Sequence, residues 1–204
     1  MHIAIAGNIG AGKTTLTRML AKHSGWDPQY EAADQNPYLE DFYSDMKRWS
    51  FNLQIYFLNS RFQHMLKLQQ LKTNIIQDRT IYEDAYIFAE NLHDMGLLTT
   101  RDFENYSAIF ENILQFVQAP DLLVYLRASV PTLVDNIQLR GREYEAGIRL
   151  DYLSRLNDKY EKWINGYTHG KLLILNKDKL DFANNPEDMG FVIQQVEREI
   201  NGLF

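Results

Sequence analysis

The chain contains no cysteine among its 204 residues, which excludes disulfides, cysteine-ligated zinc and thiol catalysis. Proline and glycine are sparse, at five and eleven, and nowhere gather into a stretch that would act as a linker. No apolar run reaches the roughly 18 residues of a membrane span. Met1–Ala6 lead directly into a candidate first strand, leaving no room for a signal or transit peptide, so a cytoplasmic location is expected. Positive charge is also in short supply: 21 Lys and Arg stand against 27 acidic residues, a net charge of −6. That balance argues against general nucleic-acid binding. An anionic ligand would have to be held by local arginines and backbone dipoles. The five histidines show no metal-ligand spacing, so no zinc site is expected.

What is present is the alternation of a single α/β domain spanning 1–204. Strand candidates are Ile3–Ala6, Tyr30–Ala32, Asn74–Gln77, Leu122–Leu126 and Leu172–Leu175, the last three being continuous apolar runs of the kind buried parallel strands show. Helical segments are expected over 13–23, 37–46, 50–71, 84–94, 101–118, 130–140, 149–165 and 186–201. Pro131 and Pro186 suit first helical turns, and Met189, Val192, Ile193, Val196 and Ile200 give the last helix a core face. Such alternation builds a doubly wound parallel sheet, with ligands at the carboxyl ends of its strands.

The most specific local pattern is GNIGAGKT at residues 7–14, a complete G-x-x-x-x-G-K-[ST] match between an apolar strand and an amphipathic helix. Gly7, Gly10 and Gly12 let the backbone of Gly7, Asn8, Ile9, Gly10, Ala11, Gly12 and Lys13 turn its N–H groups toward phosphate oxygens. Lys13 supplies a point charge for the β- and γ-phosphates, and Thr14, followed by Thr15, supplies a hydroxyl for Mg²⁺. The start of the helix adds its positive dipole end. These residues predict a nucleoside-triphosphate site.

Four further groups carry chemistry, each with a plainer alternative. Glu31 stands at the end of the second strand candidate, where it could take a proton from a hydroxyl or merely cap a helix. Gln54 and Arg61, seven apart on a long helix, share one face that either reads a nucleobase edge or meets solvent. Asp78-Arg79 follow the third strand, Asp78 being placed like a Walker B aspartate near a metal. Asp84 and Phe88, four apart, could grip a base by edge and plane, although Asp84 also suits a helix N-terminus. Arg140 and Arg142 flank Gly141 in a charged loop with Glu143 and Glu145, which reads as a mobile lid or a surface basic cluster.

Taken together, the blocks GNIGAGKT, RWSFNLQIYFLNSR (48–61), DRTIYEDAYIF (78–88) and LRGREYEAGI (139–148) resemble the deoxynucleoside kinase family, the group of the deoxycytidine, deoxyguanosine and deoxyadenosine kinases. The resemblance implies a P-loop kinase fold, with a five-stranded parallel sheet flanked by helices and a short arginine lid at about 139–149. It implies ATP as phosphate donor, Mg²⁺, a small deoxynucleoside acceptor and a homodimer. It further implies Glu31 as general base, Arg79 as the arginine holding that carboxylate at the 5′ end, and Asp78 as the metal-associated acid. Gln54, Arg61 and Asp84 match the base-recognising trio, Phe88 the stacking ring, Tyr43 and Glu145 the 3′-hydroxyl ligands, and Arg140 and Arg142 the lid arginines. Asp181-Phe182 correspond to the donor-adenine loop. The chain departs from the family at Glu31-Ala32-Ala33, where many members read Glu-Pro-Val, and at Asn136, where some carry another lid arginine.

Two other activities share parts of this pattern. A nucleotide kinase of thymidylate-kinase type would need arginines near Glu31 for the acceptor phosphate, and residues 30 to 45 contain none. A GTPase-type switch would need Asn-Lys-x-Asp, whereas in Asn176-Lys177-Asp178-Lys179 the aspartate falls one position early. The base itself follows from Asp84, which accepts hydrogen bonds only when Arg61 keeps it ionised. An exocyclic amine, as on adenine or cytosine, suits it, while O4 of thymine does not. The small Ala85, where some cytidine-preferring members of the family carry a bulkier arginine, implies deoxyadenosine first, with deoxycytidine or deoxyguanosine as alternatives.

Overall fold

The computed structural model describes residues 1–30, 36–142, 145 and 147–202. Five parallel strands form one sheet: β1 (His2–Gly7), β2 (Asp27–Gln29), β3 (Ile75–Asp78), β4 (Leu122–Arg127) and β5 (Lys171–Asn176), in the order β2-β3-β1-β4-β5. The pleat sends successive side chains to opposite faces. Ile3 and Ile5 therefore join one core with Leu16, Leu20, Val124, Leu126 and Val192. Ala4 and Ala6 join the other with Phe42, Leu53, Ile87, Leu123, Tyr125 and Tyr160. Helices cover both faces, which is why the inner strands read as unbroken apolar runs.

The helices are α1 (Lys13–Ser24), α2 (Leu39–Ser44), α3 (Met46–Leu68), α4 (Ile81–Glu83), α5 (Glu90–Asp94), α6 (Thr100–Leu114), α7 (Val130–Arg140), α8 (Leu150–Asn165) and α9 (Pro186–Asn201). Asp45 sets the start of α3 four residues earlier than expected, its side chain accepting from Arg48 N–H. Between α4 and α5 the chain widens into a π-helical turn, Asp84–Ala89. The helix expected at 84–94 thus begins earlier, at Ile81, where Thr80 and Glu83 form a capping box.

Two strand expectations need correction. The second strand is Asp27–Gln29, with Tyr30 exposed beyond its end, while Ala32 and Glu31 lie outside the described residues. The run at 172–175 is an edge strand, with Ile174 exposed. An apolar run reports burial by something, but it cannot tell a strand flanked on both sides from one at the margin. The chain winds from β1 out to β2 and β3, then crosses to β4 and β5. The carboxyl end of β1 is therefore the point where the winding reverses, the place where open α/β sheets bind ligands.

Candidate active site

At that reversal point β1 delivers the glycine-rich loop. Gly10 and Gly12 both have positive φ, 85° and 94°. At Gly10 a β-carbon would also lie 2.6 Å from the carbonyl oxygen of Leu133 on α7, so only glycine fits this close approach. The loop is tied from several sides. Asn136 of α7 donates to Gly10 O at 2.8 Å. The buried Asn8 donates to Leu153 O and to Asn157 Oδ1 on α8. Lys13 folds its ammonium across the loop onto Gly7 O (2.8 Å) and Asn8 O (3.1 Å).

Beside the loop, the end of β3 places Asp78 so that its Oδ2 accepts from Thr14 Oγ1 at 2.5 Å. A hydroxyl and a carboxylate brought together where phosphates would lie are the hard oxygen donors Mg²⁺ takes, with water and phosphate oxygens completing its shell. The residues present fit that ion. The next residue, Arg79, is the one described non-glycine residue with positive φ (69°), in a region β-carbon sterics disfavour. Its guanidinium lies 3.9 Å from the centre of the Phe88 ring and 3.6 Å from Asp84 Oδ1.

Lys13, Thr14, Asp78 and Arg79 line a cleft together with Tyr43 of α2, Gln54 and Phe57 of α3, Phe88, and Arg140, Arg142 and Glu145. Gln54 is buried within α3, and its Oε1 has no hydrogen-bond partner among the described residues. A buried acceptor without a donor is costly, so this atom asks for a ligand N–H. Behind the cleft Arg61 holds Asp84 through two bonds, Nε to Oδ2 at 2.8 Å and NH2 to Oδ1 at 3.3 Å, with both side chains buried. At the end of α7 Arg140 grips both oxygens of Glu145, at 3.0 and 2.5 Å, and Arg142 stands 3.7 Å away.

The comparisons with known proteins agree. The description of the deoxynucleoside kinase family matches residues 3–201. The chain is 37% identical to the deoxyadenosine/deoxycytidine kinase of Bacillus subtilis over 98% of this chain and 93% of the relative. It is 37% identical to the deoxyadenosine kinase of Lactobacillus acidophilus over 98% of both. Among solved structures, the deoxyadenosine kinase of M. mycoides with the products dCMP and dCDP superposes with a TM-score of 0.87, at 30% identity, over the whole of both chains. The same protein with dATP gives 0.85 over 97% and 99%. This chain belongs to the deoxynucleoside kinase family.

As a deoxynucleoside kinase it brings eleven of the sequence-predicted residues into one cleft: Ile9, Lys13, Thr14, Tyr43, Gln54, Asp78, Arg79, Phe88, Arg140, Arg142 and Glu145. Gln54 and Arg61 do share a face, and it is a buried one. Asp84 and Phe88 lie on the π-helical turn, a rare geometry that recurs at functional sites. One face of the Phe88 ring is covered by Arg79. Phe182 is buried against Gly12 and under Lys177, so its ring backs the phosphate loop, while Asp181 beside it is exposed. Asp178 accepts from the N–H and hydroxyl of Ser129, which makes the Asn-Lys-Asp-Lys segment a tie between strand ends. Glu31 lies outside the described residues. Sequence reading missed Tyr152 in the cleft wall and Asn157 behind the loop. It also missed Glu83, a fully buried carboxylate whose pKa burial pushes up against the pull of Arg79 and Lys13. Tyrosine, asparagine and glutamate at ordinary helical positions carry no signal of their own in one sequence.

Proposed function

We propose that this kinase transfers the γ-phosphoryl group of ATP to the 5′-hydroxyl of a deoxynucleoside, giving ADP and the 5′-monophosphate, as one catalytic domain with its lid at about 139–149. The observation that carries the reading is the shared cleft: phosphate-handling Lys13 and Asp78 line it together with base-reading Gln54, with Asp84 and Arg61 behind it. In this reading the loop N–H groups and Lys13 hold the donor phosphates, and Glu31 accepts the 5′-hydroxyl proton as its oxygen attacks the γ-phosphorus. Arg79 orients the 5′ end, Tyr43 and Glu145 hold the 3′-hydroxyl, and Phe88 stacks on the base. Arg140 and Arg142 meet charge building on the transferring group, and the 181–182 segment borders the donor adenine. Thr14 and Asp78 would hold Mg²⁺, which when bound neutralises charge on the β- and γ-phosphate oxygens. Catalysis is then chiefly positioning and electrostatics.

For the acceptor, the Asp84 carboxylate held by two arginines favours a base that offers an amine, with deoxyadenosine first and deoxycytidine or deoxyguanosine behind. The M. mycoides relative, solved with dATP, dCTP and dCMP, supports an amine-bearing base. The homodimer implied by the family would use the side of α3 and α6, where Leu66, Ile109 and the nearby Phe116 are exposed. The kinase is expected to act in the cytoplasm on small molecules; among the described residues no helix is long and apolar enough to cross a membrane.

Initial rates with ATP and Mg²⁺ test the reading, using the four deoxynucleosides and thymidine monophosphate as alternative acceptors. Turnover of a deoxynucleoside is expected. Turnover of the monophosphate alone would instead support a nucleotide kinase.

A further inference from the structure

Glu83 has a job that helix capping does not explain. In the capping box its Oε2 accepts from Thr80 N–H (2.7 Å) and Thr80 Oγ1 (3.1 Å). A glutamine performs that role equally well, and such boxes need no burial. Yet Glu83 has no exposed surface, and its other oxygen turns away from α4. Oε1 accepts from the N–H of Gly7, the first residue of the phosphate loop, at 3.3 Å, and from the Tyr160 hydroxyl of α8 at 2.8 Å.

One carboxylate thus joins three separate pieces of chain: the phosphate loop that carries Lys13, the turn that carries Arg79, and the helix that follows the lid. The Arg79–Thr80 peptide it holds is the one leaving the strained Arg79 backbone. A second tie, Arg79 N–H to Ile5 O at 2.9 Å, fixes the same turn to β1. Among the described residues every group bonded to the carboxylate is a donor. Burial pushes its pKa up, and Arg79 and Lys13 pull the other way. A buried negative charge is retained at a cost only where it is paired and hydrogen-bonded. Here Gly7, Thr80 and Tyr160 supply the bonds, and two cations of the proposed phosphoryl-transfer site act on it through space.

We propose that Glu83 is a positioning residue for phosphoryl transfer, clamping the phosphate loop to the Arg79 turn and balancing the charges of Lys13 and Arg79. This rests on the kinase reading above. In Glu83→Gln the amide –NH₂ must face N–H donors, and one unit of negative charge beside two cations is lost. Both loops then shift relative to each other, while the phosphate end of the cleft becomes more positive. In Glu83→Asp the charge and the capping of Thr80 remain, but the side chain is one methylene too short to span to Gly7.

The test is steady-state kinetics of the full chain and both variants with ATP, Mg²⁺ and deoxyadenosine, rates expressed per folded site. Glu83→Gln is expected to lower kcat about 10- to 100-fold, the scale of a misplacement of about 1 Å. KM for ATP should be unchanged or lower, and KM for the nucleoside within about threefold of the unmodified enzyme. Glu83→Asp should lower kcat about fivefold or more with the same KM pattern, and decides the matter if Glu83→Gln does not fold. Both variants within twofold of the unmodified kcat, or a rise in KM for ATP matching the loss, would reduce Glu83 to a helix cap and overturn the proposal. An unmodified enzyme that phosphorylates no deoxynucleoside would overturn the kinase reading first, and the clamp with it.

Discussion

The Arg61–Asp84 pair makes a quantitative demand on the choice of base. Asp84 is buried, held by Arg61 at 2.8 and 3.3 Å and approached by Arg79 at 3.6 Å. Its oxygens, gripped by guanidinium donors, offer only acceptors to a base. Thymine at that edge would set a carbonyl oxygen against the carboxylate. A buried polar group left without its partner costs about 1–3 kcal/mol, or roughly 5- to 150-fold in kcat/KM. Deoxyadenosine or deoxycytidine should exceed thymidine by a factor in that range. Deleting Asp84 alone would break a buried ion pair from one side, at about 3–5 kcal/mol of stability, and would blur the result. The informative variant is the double exchange Asp84→Ala with Arg61→Met, which removes acceptor and counter-ion together. Competition between the nucleosides, read as the ratio of monophosphates formed, should show the ratio falling toward unity. If thymidine is the best substrate of the unmodified enzyme, or if a folded double variant keeps the full ratio, this account of the base pocket fails.

Other expectations concern catalysis and pH. Glu31→Gln should lower kcat by about 10²–10⁴ with nucleoside binding retained, measured by kinetics alongside calorimetric titration; a loss of less than threefold would remove Glu31 from the mechanism. Lys13→Ala should cost on the order of 10² or more in turnover with an unchanged circular dichroism spectrum, because its ammonium lies over the loop carbonyls Gly7 O and Asn8 O and lines the cleft, outside the apolar cores. Arg140→Ala and Arg142→Ala should each lower kcat more than they raise nucleoside KM, and the reverse pattern would contradict a lid acting at the transition state. His2 and His64 both have pKa values lowered by burial. The unfolded chain therefore binds more protons than the folded one just below pH 6.5, and stability should fall as the pH drops through that range. Urea midpoints at pH 7.5 and 5.5 should show the fall, and His64→Gln should lessen it; an equal fall in the variant would exclude His64.

Much of this was legible in the residues because the chemistry is encoded in types that do little else. The phosphate loop declares itself through glycines that the close approach of Leu133 O and the positive φ at Gly10 require. Gln54, Arg61, Asp84 and Phe88 were visible as a pattern on two helices. Only burial could turn that pattern from a solvent face into a pocket. The second strand was placed three residues late because Tyr30 has strong β propensity, whereas Asp27–Gln29 pair with β3 through backbone bonds to which their side chains are indifferent. The early start of α3 follows from a cap at Asp45, and the chain widens into the π-turn at Asp84–Ala89; neither has a period that a sequence window detects. Glu83 was invisible for a related reason. Its partners Gly7 and Tyr160 lie 76 and 77 residues away, and only the sheet brings them together.

The central claim is that one cleft passes a phosphoryl group from ATP to the 5′-oxygen of a deoxynucleoside. Phosphorus-31 NMR of the full chain incubated with ATP, Mg²⁺ and deoxyadenosine tests it most directly. ADP and the 5′-monophosphate are expected in equal amounts, the new phosphorus resonance coupled to the two 5′-methylene protons. ATP cleaved to ADP and inorganic phosphate with the nucleoside untouched, or a monophosphate carrying its phosphate on the 3′-oxygen, would contradict it.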